Sequence, residues 1–146
     1  LMPDISHGRL MLDGASCELL AGDGWDAYVK PFRTLEDVYV LSAMTAWLYG
    51  VGHDSDWPQS LQLRLLALLA GCAEASRQAP NNLAGHVLLG GLFAQFDGLK
   101  TEVEQALADG PPQWAAMWQR DRGVMDLAAG ARGKRLAKAL TGSSLS

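Results

Sequence analysis

The chain has 146 residues, of which 49% are hydrophobic and 19% charged, and its net charge is −4. That composition excludes a disordered chain, and the length predicts one domain with a sizeable core. The negative charge leaves no reason to expect nucleic acid as a partner, because phosphate binding needs a basic face.

The charge is unevenly spread. Residues 113–140 hold six Lys or Arg against Asp121 and Asp126, a local balance of +4 that leaves −8 for the remainder. This basic stretch reads as a solvated helix face or, alternatively, as a face for anions or another subunit. Cys17 and Cys72 are far apart in sequence and are expected as two buried free thiols rather than a disulfide. The N-terminus lacks a basic region followed by an apolar run, and the apolar stretch 61–75 is interrupted by Gln62 and Arg64. A cytoplasmic protein with no membrane partner is therefore expected.

Taken in order, residues 1–20 carry Arg9-Leu10-Met11-Leu12, the turn pair Asp13-Gly14, and a second short apolar run. An Asp-Gly pair between two apolar runs predicts a β-hairpin. Two strands are marginal alone, so this piece should lean on the helices or on a sheet from elsewhere, as in a fragment of a larger protein. Gly22-Asp23-Gly24 reads as a tight turn and Lys30-Pro31 as an extended lead-in. Thr34 then reads as an N-cap, with Asp37 as a variant capping box. A first helix is predicted over residues 35–49, ended by Gly50 and Gly52.

Pro58 begins a second helix over residues 58–77, apolar on several faces and so expected near the centre. Asn81 or Asn82 caps a third, over residues 83–108, whose Gly85, Gly90, Gly91 and Gly98 point to close packing, with a nearby ligand or a bend in the helix as alternatives. Gly110-Pro111-Pro112 is a hard break, and a fourth helix follows from about Gln113. Gly123, Gly130 and Gly133 make two helices an alternative there, and residues 141–146 are expected to fray. Arg132, Lys134, Arg135 and Lys138 are placed to suit the dipole at its end. The predicted fold is mainly α: a β/turn lead-in over residues 1–33, then an antiparallel four-helix bundle over residues 34–146.

Chemistry is sparse. His7, His53 and His86 fall in different elements, and no pair has zinc-helix spacing. No nucleophile elbow or phosphate-binding glycine pattern occurs. Glu36 and Asp37 read as serving the helix start, while Glu74, Glu102 and Glu104 read as solvated. Trp47, Trp114 and Trp118 fit core stripes, although a flat cofactor could stack on one of them.

The passage Gly22-Asp23-Gly24-Trp25-Asp26-Ala27-Tyr28-Val29-Lys30-Pro31-Phe32-Arg33-Thr34-Leu35-Glu36-Asp37 resembles the junction between the β-domain and the C-terminal helical domain of bacterial acyl-CoA dehydrogenase-like proteins. Residues 118–132 resemble the closing helix of the same group. That resemblance implies a FAD flavoprotein of fatty acid metabolism, a homo-oligomer, in which residues 1–20 end a β-domain and the helices supply subunit contacts and part of a flavin site. It places Lys30 and Arg33 nearest an anionic cofactor or a partner subunit. It transfers no catalytic residue, since the glycine-rich flavin passage and the segment that brings the catalytic glutamate have no counterpart in this chain. The expected function is assembly with a partial flavin-facing surface and no catalysis by the chain alone. Two alternatives remain: a cofactor-free oligomerisation module, and a ligand-binding bundle with a cavity lined by Trp47, Phe93, Phe96 and Trp114.

Overall fold

The computed structural model describes Ser6 and residues 8–142, so His7 lies outside the described residues, as does most of the tail expected to fray. Among the described residues, five α-helices follow one another: α1 (Lys30–Asp54), α2 (Gln59–Ala75), α3 (Leu83–Ala108), α4 (Pro112–Asp121) and α5 (Ala129–Gly142). One π turn, Trp25–Val29, leads into α1, and a 3-10 turn, Arg122–Asp126, separates α4 from α5.

The predicted hairpin does not form. Gly14 does take a left-handed turn conformation, but the flanking runs pair with nothing, and there is no strand among the described residues. Leu10, Met11, Leu12, Leu19 and Leu20 are all exposed. With no third strand and no helix beneath them, two short strands bury too little to persist. Cys17 is exposed as well, so only Cys72 meets the expectation of a buried thiol.

The helical run also starts earlier than predicted. The Asp23 carboxylate accepts the Asp26 amide at 2.8 Å, which is the work of a capping side chain, eleven residues before Thr34. Lys30 is helical (φ −63, ψ −49) despite preceding Pro31, and its amide bonds back to the Trp25 carbonyl. This wide turn lies where a proline ring would strike the preceding carbonyls of a regular helix, and it relieves the clash. Thr34 and Asp37 are therefore buried helix-interior residues, and neither caps anything. Gly50 and Gly52 do not end α1 either. Gly52 is buried, and a Cβ there would lie 2.7 Å from the Trp57 ring, so glycine serves close packing within a helix that continues to Asp54.

Leu61, Leu65, Leu68, Cys72 and Ala75 bury one face of α2, but Leu63 and Leu66 are exposed, so α2 is not central. That position belongs to α3, which packs against α1, α2, α4 and α5. Its bounds match the prediction, and the Asn82 side chain accepts the Ala84 amide at 3.0 Å as an N-cap. A Cβ at Gly90 would lie 2.8 Å from a Leu136 methyl, so this glycine lets α5 sit close. The predicted fourth helix is divided at Gly123, as the alternative allowed. Buried Leu41, Leu48, Leu65, Phe96 and Trp118 are among the side chains that build one continuous core.

Candidate functional site

Lys30 and Arg33 lie on the outer side of α1, with about half of each side chain exposed. Lys30 is ion-paired with Asp26 one turn earlier, and Arg33 with Glu36 at 3.1 Å. These are exposed local pairs of the kind that contribute a few tenths of a kcal/mol to roughly 1 kcal/mol. Each cation is thus matched by a carboxylate on its own helix, and neither lines the grooves on α3 and α5 or on α1 and α4.

The charged groups that converge are different ones. Asp37 occupies the core side of α1, and its side chain is 5% exposed. From α5, Arg132 donates to one carboxylate oxygen at 3.0 Å and Arg135 donates to the other. Arg132 also donates to the Met125 carbonyl at 2.8 Å, which ties down the 3-10 turn. Its guanidinium lies 3.7 Å above the centre of the Phe93 ring on α3. Three helices and the 3-10 turn are therefore fastened at one point. Burial pushes the Asp37 carboxyl up from its ordinary value, while the Arg132 hydrogen bond and both guanidinium charges pull it back. The residual direction is upward, because desolvation is the largest influence.

Beside this cluster, a groove of about 420 Å³ opens between α3 and α5. Leu89, Phe93, Met125 and Leu136 supply apolar surface, and His86, Arg132 and Arg135 supply polar groups. Burial pushes the His86 imidazole down from its ordinary value, and the Arg135 charge pushes the same way. The side chain is thereby held as a neutral imidazole, with one donor and one acceptor nitrogen.

The other expected residues scatter. Trp47 and Trp114 meet edge to face at 6.4 Å, Phe96 packs on Trp118, and Phe93 lies under Arg132, so the four aromatics expected around one cavity do not share one. Glu104 is not simply solvated: it accepts the Trp118 indole N–H at 3.1 Å and pairs with Arg122 at 2.8 Å, and these contacts hold its carboxyl below the ordinary range. Glu102 pairs with Arg64 and Glu74 with Arg77. His53 is exposed and stacks on Tyr49. Burial raises the Cys72 thiol, which keeps it unreactive. Among the described residues, no group of three or more His, Cys, Asp or Glu is arranged to hold a metal ion, and no helix is long and apolar enough to cross a membrane.

Asp37, Arg132 and Arg135 were misassigned at the sequence level, although a signal existed. Asp37 shares helical spacing with Thr34 and Leu41 on the buried face, and a carboxylate on such a face requires a cation partner. The chain matches no family model, no curated protein and no solved structure.

Proposed function

We propose that this chain is an assembly module, a helical domain that associates with a second copy of itself through the outer face of α1. The observation that carries this reading is a second apolar stripe on α1, opposite its core face. Tyr28, Phe32, Leu35, Tyr39, Ala43 and Trp47 follow one another at spacings of three and four. Phe32 is 61% exposed and Tyr39 64%. Tyr28, Phe32 and Tyr39 are exposed, whereas Trp47 at the far end packs edge to face on Trp114; exposed aromatics grouped on one helix face are what an association surface requires.

The two ends of the stripe differ in shape. Phe32 protrudes near the beginning. Toward the other end, Val40, Ala43, Met44 and Trp47 form one wall of an apolar groove of about 270 Å³, closed by Met117 and Val124. Antiparallel pairing of two α1 helices brings each Phe32 over the groove of the other copy. Such self-complementarity is what a two-fold interface needs.

The resemblance to acyl-CoA dehydrogenase-like proteins supports a second reading, in which the surface meets the remainder of a flavoprotein and contributes to a FAD site. The exposed apolar segment 8–20 favours it, since a segment that completes a sheet elsewhere carries such residues. Sedimentation velocity separates the readings. Self-assembly predicts a dimer whose mass ignores added FAD and which Phe32→Asp converts to a monomer with unchanged helical circular dichroism. A wild-type monomer contradicts it, and a flavin absorbance band that co-sediments with the chain favours the flavoprotein reading.

A further inference from the structure

We propose that the groove between α3 and α5 binds a small amphipathic carboxylate, its head group on Arg135 and Arg132 and its apolar body along Phe93, Met125 and Leu136. The cluster at the head of this groove carries a charge imbalance. Two guanidiniums share the single carboxylate of Asp37, and their side chains are only 16% and 20% exposed. One positive charge is therefore largely desolvated without a matching anion, and such a charge is costly unless an anion approaches. The other charged groups along the groove do not supply one. Asp97 is taken by Lys100 at 2.7 Å, and Asp126 is exposed at the rim without an ion pair to either arginine among the described residues.

The donors needed to hold a head group are in place. Each guanidinium has five N–H donors, and the described hydrogen bonds use two from Arg132 and one from Arg135. Neutral His86 adds a further polar nitrogen on the same wall. A volume of about 420 Å³ lies within the range of small-molecule sites, and the mixture of apolar surface with a few convergent polar groups is their usual lining. The surplus of one charge selects a monoanion. Small residues keep the groove open: a Cβ at Gly133 would meet nothing within 4 Å. This inference is independent of self-association through α1, because the groove lies on other helices.

The test compares three probes with one body and three charges: phenylbutyrate, phenylbutyramide and phenylbutylamine. Calorimetric titration and amide chemical shifts of the full chain are the readouts. The proposal expects saturable binding of phenylbutyrate with shifts at Gly90, Ala94 and Gly133, about tenfold weaker binding of the amide, and none of the amine. Arg135→Gln removes the surplus charge while Arg132 still partners Asp37, and should weaken phenylbutyrate by about tenfold. Gly133→Leu fills the groove without touching the ion cluster, and should abolish binding with an unchanged or raised melting temperature. Amine binding as tight as that of the carboxylate, shifts centred elsewhere, or full affinity in Gly133→Leu each overturns the proposal. If Arg135→Gln fails to fold, the Gly133→Leu result decides alone.

Discussion

Asp37 is where α1 is fastened to α5, and its loss should be felt more than that of either arginine. Asp37→Ala leaves two guanidiniums poorly solvated and unpaired, and removing one partner of a buried ion pair costs about 3 kcal/mol. Arg135→Gln should cost less, because Arg132 keeps one carboxylate oxygen occupied. Urea unfolding of both variants measures the difference. A loss under about 0.5 kcal/mol for Asp37→Ala, within the range of an ordinary surface change, would contradict the account. His86 gives a residue-scale prediction in pH. Its folded-state value lies below 6.5, so the unfolded chain binds the proton first as pH falls. Stability should therefore decline on acidification through 6.5 toward the lower folded value, with no further loss from this group below it. His86→Gln should flatten that decline. Asp37 acts with the opposite sign in a more acidic window, since its raised value favours the protonated folded state just above 3.8.

At the scale of elements, two glycines separate rigid from adaptable packing. Gly52→Ala drives a Cβ against the Trp57 ring, which cannot move aside within the core, and should cost about 1–3 kcal/mol. Gly90→Ala meets only the methyl end of Leu136, and a gain in helix propensity of roughly 1 kcal/mol offsets the crowding, so its effect should be near neutral. Thermal unfolding of the pair is the check, and equal losses would show that Leu136 cannot yield to a Cβ at position 90. These elements also show how much of the fold was legible. The bounds of α3 were, because Asn82 makes a local side-chain cap and Gly110-Pro111-Pro112 permits no continuation. The start of α1 was not. Pro31 and Thr34 imitate a helix start, and nothing local announces that a wide turn tolerates the proline. The hairpin failed for the converse reason: its turn signal was genuine, but strand pairing depends on surface that the described residues do not provide.

For the whole molecule, the candidate site was the least legible part, because it is made by contacts distant in sequence. Lys30 and Arg33 could be recognised as cations, but their pairing with Asp26 and Glu36 on the same helical run was not foreseen. The Asp37 cluster joins residues 95 and 98 positions apart, beyond the reach of any spacing rule. Once α3 takes the centre, its neighbours leave two surfaces open: the exposed part of the α1 stripe around Phe32 and Tyr39, and the groove beside α5. The first carries the central claim, that α1 pairs with α1 of a second copy and seats Phe32 in the partner's groove. Isotope-filtered nuclear Overhauser spectra of mixed labelled and unlabelled chains test this directly. Pairing of this kind gives contacts between chains from the Phe32 ring to the Met44 and Met117 methyls. A spectrum in which Phe32 shows no contact between chains, at concentrations where the chain sediments as a dimer, would contradict it.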